Sequence, residues 1–153
     1  MSDYESFLYD SHAFPETHPD RLGTLGALFG LNTAPPDKCR VLELGCGLAG
    51  NLVPLGALYP ESEFVGVDLS RRQIEIGQAD IDALGLTNVT VHHGRAEDIK
   101  GQFDFVVSRA VTRMNRFIPW VQGKIKKQSI NPWPNGILAL KGGDLSEELG
   151  EVD

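Results

Sequence analysis

Only two of the 153 residues are cysteine. Cys39 and Cys46 have no partner at metal-ligand spacing, and Cys46 lies inside a glycine-rich turn where a disulfide would interfere. Both read as reduced thiols, and no metal is expected. No run approaches the ~18–20 unbroken apolar residues of a membrane-spanning helix. The opening MSDYESFLYD is acidic and polar, unlike a signal sequence, so a cytoplasmic protein with no membrane partner is expected. No Walker lysine follows the glycines and no nucleophile elbow occurs, which sets aside P-loop and hydrolase chemistry. Acids are missing from one long segment: seven Lys or Arg and no Asp or Glu fall between Phe105 and Gly143. The chain carries −7, so the remainder carries −14. Such asymmetry suits an anionic partner or a solvated helix face equally.

What the chain does have is an alternation of helical and strand patterns. Residues 17–30 (THPDRLGTLGALFG) read as a helix capped by Thr17, with Pro19 in its first turn and Gly30 at its end. Leu22, Leu25, Leu28 and Phe29 give it one apolar face. Residues 40–44 read as a strand, and Gly50 opens a helix ending near Tyr59-Pro60. EFVGVDL (63–69) is the second strand. Ser70 and Gln73 form a capping box for the next helix, with Ile74, Ile81 and Leu84 inward and Gly85 at its close. NVTVHHG and FDFVVSRAV are strands three and four. A helix runs from Asn115 to about Gln128, with Pro119 near its start. NGILALKGG is strand five, and SEEL in the acidic tail is a short helical turn. Strands alternating with helices imply a parallel sheet with crossovers, so the fold class is a doubly wound, Rossmann-like α/β sandwich. One domain is expected over 1–153: a leader and helix (1–38), a cofactor-binding half (39–94) and a second half (95–153).

The centre of the reading is VLELGCGLAGN, a strand running into Gly45-x-Gly47-x-x-Gly50 and then a helix. Asp68 ends the next strand, placed to accept hydrogen bonds from ribose hydroxyls. Both NAD and S-adenosylmethionine (SAM) satisfy that geometry. Glu43 faces the mouth of the turn, where its charge opposes a pyrophosphate and attracts an ammonium. That favours SAM over NAD, and an NAD-dependent oxidoreductase is the more distant alternative.

ELGCGLAGN resembles motif I of class I SAM-dependent methyltransferases, and VGVDLS resembles their motif II. The resemblance implies that Glu43, Gly45, Cys46, Gly47, Asp68 and Leu69 contact the cofactor. The first 94 residues are similar to a group of bacterial class I methyltransferases with FPETHPDRL-like leaders, which close over the cofactor. Tyr9, Phe14 and His18 are the leader's candidates, with simple packing as the alternative for each. From Gly94 onward, GRAEDIKGQFDFVVSRAV and NGILALKGG resemble the glucose-inhibited division protein B family, which methylates N7 of a guanine in small-subunit ribosomal RNA. By that resemblance Ala96 and Glu97 meet the adenine of SAM, and Arg109 and Lys141 face the substrate. The basic segment 109–127 would meet the rRNA.

Three departures from that family stand out: a different motif I, a replaced N-terminal extension, and an end after strand five. They suggest a chimera or truncated form, and a SAM-binding module without turnover is the second functional expectation. The family's strand order implies five strands ordered 3-2-1-4-5, lacking the last two. Strand five would then be an apolar edge, with a homodimer expected through it. His92 and His93 read as strand-end packing. Ser108-Arg109-Ala110 stands where amine methyltransferases carry an Asn-Pro-Pro-Tyr-like signature. Guanine N7 offers a lone pair and loses no proton, so that chemistry needs no general base.

Overall fold

The computed structural model describes residues 8, 10–109, 112–129 and 134–152, with the side chains of 107–109, 138 and 140 outside the description. The chain divides into two compact units, Met1–Ala96 and Glu97–Asp153.

The first unit is a three-stranded parallel sheet. β1 (Arg40–Leu44) pairs with β2 (Glu63–Asp68), and β2 with β3 (Val89–His93). The register sets Glu43 beside Gly66 and Asp68 beside His93, so the carboxyl ends of the strands lie together. Helix α1 (Pro19–Leu28) precedes the sheet, while α2 (Leu52–Leu58) and α3 (Arg71–Ala83) connect its strands. Phe64, Leu52, Leu55, Ile74, Ile81, Val89 and Val91 form the core with Cys46 and Ala49. Burying a side chain such as Phe64 contributes about 1.5–3 kcal/mol. Glycines set the spacing of this packing. A Cβ on Gly56 would come within 2.1 Å of Val89 Cγ2, and one on Gly66 within 2.7 Å of Cys46 Sγ. Asn88 Nδ2 lies within 2.9–3.1 Å of the Gly56, Tyr59 and Ser62 carbonyls, the first two of which belong to the end of α2.

α3 forms much as its sequence dictates. Ser70 Oγ accepts from Gln73 N at 3.3 Å. The reciprocal half of the expected box is absent: Ser70 N donates to Asp68 Oδ1 at 2.8 Å, and Gln73 is buried. At the far end Gly85 adopts φ +65°, Gly85 N donates to Asp82 O and Leu86 N to Ile81 O. This is a Schellman ending. It turns Leu84 out to solvent, contrary to expectation, and packs Leu86 against the core instead.

α1 departs further from expectation. Its cap is His18, whose Nδ1 accepts from Asp20 N at 3.3 Å; Thr17 closes a preceding 3-10 turn (Pro15–Thr17). Leu22, Leu25, Leu28 and Phe29 are exposed, Leu28 by 78% and Phe29 by 64%. The buried residue of the helix is Gly26, where a Cβ would meet Thr33 Cγ2 at 2.5 Å. The helix therefore packs through its glycine side, where the absence of a side chain leaves room for the Thr33 and Leu31 side chains.

In the second unit β4 (Phe105–Arg109) pairs in parallel with β5 (Gly136–Leu140). Of the order 3-2-1-4-5, the described residues form the ladders 3-2-1 within the first unit and 4-5 within the second. Helix α4 (Met114–Val121) buries Phe117 and Val121 and ends well short of Gln128. A 3-10 turn (Gln122–Lys124) follows it. The next backbone groups go to a bridge: Phe103 N donates to Lys124 O at 2.7 Å and Lys126 N to Phe103 O at 2.9 Å. α5 (Ser146–Leu149) is the short turn expected in the acidic tail. No helix among the described residues is long and apolar enough to cross a membrane.

Candidate functional site

The glycine turn folds back over the end of β2. Gly45 N donates to Val67 O at 2.7 Å, and Cys46 N to the same oxygen at 3.2 Å. Gly47 N donates to Asp68 Oδ2 at 3.0 Å. Three residues of the turn take left-handed backbone: Gly45 (φ +77°), Gly47 (φ +55°) and Ala49 (φ +60°). For Ala49 this costs about 1–2 kcal/mol. The strain is held because its methyl is wholly buried in the core and its N–H donates to Cys46 O at 2.9 Å.

Two carboxylates flank this turn. Asp68 accepts one backbone N–H on each oxygen, from Gly47 and Ser70, which leaves lone pairs on both for a ligand's hydroxyls. Glu43 accepts from Asn51 Nδ2 at 3.2 Å. Burial pushes the Glu43 carboxyl above its ordinary range, the Asn51 amide opposes that rise, and no cation is among the groups that shift it. A half-buried carboxylate with a neutral partner is suited to receive a positive group. A Cβ on Gly45 would meet nothing within 4 Å, so the backbone there is open to a ligand's approach. Together these residues fit a molecule carrying an ammonium and vicinal hydroxyls.

Cys46 sits differently from its neighbours. Its thiol lies in the core, and burial, then the charges of Asp68 and Glu43, push it up to about 12. Only its backbone belongs to the turn's surface. Leu69 is half-exposed, and its carbonyl lies 3.1 Å from His93 Nε2. His92 and His93 are both exposed. Hydrogen bonding to Leu69 O and a 3.5 Å contact with Arg71 hold His93, rather than the expected packing.

The leader lies on the turn. Ser11 Oγ accepts from Gly50 N at 2.9 Å, and Phe14 N donates to Asn51 Oδ1 at 2.9 Å. Of the three leader candidates, Phe14 engages the site through its backbone, and its ring lies 4.6 Å from that of His12. His18 caps α1 and sits edge-on to Tyr59 at 5.7 Å. Tyr9 lies outside the described residues. Sequence reasoning missed Ser11, Asn51 and Gln73. The Asn51 signal was present: it follows the last glycine directly, where a polar side chain at a helix start invites explanation. Gln73 is 2% exposed, and its Oε1 has no hydrogen-bond partner among the described residues; a Cβ on Gly47 would meet that oxygen at 3.1 Å.

Ala96 closes the first unit, and Glu97 begins the second within the same 3-10 turn (Ala96–Asp98). In the second unit Lys124 Nζ donates to Glu97 O at 2.9 Å and Ile99 O at 2.7 Å, fixing the chain after Glu97. A cavity of about 400 Å³ beside Glu97 is lined by Lys100, Pro119, Trp120 and Lys124, among others. The side chain of Arg109 and all of Ala110 lie outside the described residues. Lys141 is 14% exposed and is spent internally, donating to Thr112 O at 2.7 Å and Glu148 Oε1 at 2.5 Å. Arg113 pairs with Glu147 and Glu151, and Lys126 with Asp104. Of the basic segment, Arg116 and Lys127 stand exposed.

The family model described as "Methyltransferase domain" matches residues 36–144, most of the chain and all of the turn. The chain belongs to the methyltransferase domain family. Among curated relatives of this methyltransferase domain is the ribosomal RNA small subunit methyltransferase G of Flavobacterium johnsoniae. It is 50% identical over 109 residues, covering 71% of this chain and 52% of the relative. The protein of the same name from Flavobacterium psychrophilum is 49% identical over 134 residues, covering 85% of this chain and 64% of that one. The chain thus spans about half to two thirds of the length of these relatives. Among solved structures, PKMT2 from Rickettsia typhi in complex with AdoHcy superposes with a TM-score of 0.68 at 30% identity, covering 86% of this chain and 26% of that one. An alignment covering 85% of the chain necessarily runs through Gly94. A fusion of two parents is therefore not needed to account for the two resemblances.

Proposed function

We propose that this chain binds SAM at the glycine turn and transfers its methyl group to small-subunit rRNA, at N7 of a guanine. The observation that carries the cofactor reading is the pair of carboxylates on consecutive parallel strands, Glu43 and Asp68, one on each side of an open left-handed turn. Glu43, which has no cationic partner among the described residues, receives the ammonium of the methionine end. Asp68 receives the ribose hydroxyls, held in place by Gly47 N and Ser70 N. NAD would bring its pyrophosphate against Glu43, which the charge disfavours. The cofactor supplies an electrophilic methyl group, so this chain's task is binding, alignment and exclusion of water. The AdoHcy bound to the related Rickettsia typhi protein, and the names of the Flavobacterium relatives, support the cofactor and the acceptor class.

On the acceptor side, Arg109 ends β4 and Lys141 follows β5. Because guanine N7 is not deprotonated on methylation, the absence of an assigned base is consistent with this acceptor. Titration calorimetry with SAM, AdoHcy and NAD tests the cofactor, followed by methyl transfer to small-subunit RNA. Tighter binding of NAD than of AdoHcy refutes the cofactor reading. Binding of AdoHcy without transfer to RNA or ribosomal particles supports a binding module instead.

A further inference from the structure

We propose that Asn51 is a positioning residue for the amino-acid end of the cofactor, fastening the leader onto the glycine turn and fixing the Glu43 carboxylate that receives the ammonium. This rests on the SAM reading above.

Asn51 is 8% exposed, and both ends of its amide are used. Oδ1 accepts from Phe14 N at 2.9 Å, while Nδ2 donates to Glu43 Oε2 and to Thr17 Oγ1, each at 3.2 Å. The orientation of the amide is forced, because a backbone N–H needs the oxygen and a carboxylate needs the nitrogen. Thr17 Oγ1 in turn donates to Phe14 O at 3.0 Å, closing a ring of bonds around residues 14–17. One side chain therefore joins two segments 37 residues apart in sequence to the acid of β1.

Asn51 does this in place of its usual task. It occupies the N-cap position of α2, where an asparagine ordinarily folds its side chain back onto the first N–H groups of its own helix. Here it makes no such bond. The side chain turns instead to the leader and to Glu43. A glutamate has three rotatable bonds, and Asn51 pins one oxygen while leaving the other for a ligand. The Glu43 charge acts on the buried Cys46 thiol, which stays neutral, and Asp68 is an acid; neither supplies a cation.

Gly50 supports the same conclusion. Its φ is not positive, so its glycine is not required by backbone conformation. A Cβ there would lie 2.6 Å from Ser11 C and O and 2.7 Å from Ser11 Oγ. The third glycine of the turn is thus needed to let the leader's backbone pass. The leader and Asn51 form one wall of the site.

The test measures binding of AdoHcy and of 5′-methylthioadenosine, which has the nucleoside but lacks the amino-acid end. Asn51→Ala is expected to weaken AdoHcy by about tenfold or more, the scale of losing a bond to a charged group. Its affinity for 5′-methylthioadenosine is expected to stay unchanged. In combination with Glu43→Gln, Asn51→Ala is expected to add little to the single Glu43→Gln loss, since it acts through that carboxylate. Gly50→Ala leaves Asn51 and Glu43 intact and guards against a misfolded Asn51 variant. It is expected to speed hydrogen exchange at the Phe14 amide and to weaken AdoHcy alone. Equal loss of both ligands, or full additivity with Glu43→Gln, overturns the positioning role. Accelerated Phe14 exchange with unchanged AdoHcy affinity overturns the leader's part. Failure of the unaltered protein to bind AdoHcy refutes the cofactor reading instead.

Discussion

The Asp68 carboxylate accepts from the Gly47 amide at 3.0 Å, so the last residue of β2 clamps the turn that follows β1. Its second oxygen takes the Ser70 amide at 2.8 Å and starts α3. One side chain thus fixes the turn, opens a helix and, in the reading above, holds a ribose. The first two roles are structural and persist without ligand.

Asp68→Asn separates these roles. An amide keeps one acceptor but presents NH2 to the other backbone N–H, leaving a donor unsatisfied. Stability is expected to fall by about 1–3 kcal/mol, and AdoHcy affinity by a further ~1.5–3 kcal/mol through the lost charge. Denaturant midpoints and titration calorimetry read the two separately. A stability loss with unchanged AdoHcy affinity would make Asp68 a clamp alone.

Glu43 carries the opposite signature. Burial raises its folded carboxyl above the ordinary value of 4.5, so the folded state holds that proton more tightly than the unfolded chain. Stability associated with this group is full below the unfolded value and is lost as pH rises through the folded one. Glu43→Gln is therefore expected to be more stable than the parent at pH 7. The difference should shrink on acidification and vanish below the ordinary carboxylate range. The same variant should bind AdoHcy less tightly. Unfolding midpoints of the pair from pH 4 to 8 check the sign; a variant less stable at neutral pH would show that Glu43 has a stabilising partner.

Gln73 carries a stability cost of its own. Its buried Oε1, beside Gly47, has no hydrogen-bond partner among the described residues, a desolvation cost of about 1–3 kcal/mol. Gln73→Met, of similar volume, is expected to raise the denaturant midpoint with the m-value unchanged. A lowered midpoint would mean that ordered water satisfies the amide.

The parts of the molecule visible in the sequence were those governed by local pattern. β1 and β2, the Ser70 cap and the Gly85 ending each follow from a short run of residues whose propensities agree. The leader's attachment was invisible, because the bonds from Phe14 and Ser11 to residues 50–51 join distant segments and leave no periodic trace. The leucines of α1 misled for a related reason. Periodicity locates an apolar face but cannot say that Gly26 permits a closer approach on another side. α4 ended early because its following backbone found a bridge partner in Phe103, again a long-range choice. At the candidate site, the positions of Glu43 and Asp68 on consecutive parallel strands were readable from spacing, whereas the partners that orient them were not.

Lys141 provides the last test, since resemblance sets it facing a substrate while the structure ties it down. Its ammonium meets Thr112 O and Glu148, and Glu148 also accepts from Met114 N at 2.7 Å. The Lys141 bond, then the Met114 amide, hold the Glu148 carboxyl below its ordinary value. Stability from this acid is present above the unfolded carboxylate value and is lost as pH falls through the folded one. Glu148→Gln should therefore lower the unfolding midpoint at pH 7, with the difference disappearing in acid. Lys141→Met should destabilise as well, and the double variant should be milder than the sum, because each single change strands the other partner. With Lys141 so engaged, rRNA affinity and its salt dependence should respond more to Arg116→Ala and Lys127→Ala, whose side chains stand exposed. Each charge removed there is expected to lower the salt slope by about one unit or slightly less. If Lys141→Met instead causes the larger loss of RNA affinity at unchanged stability, the ammonium leaves Glu148 to reach the substrate.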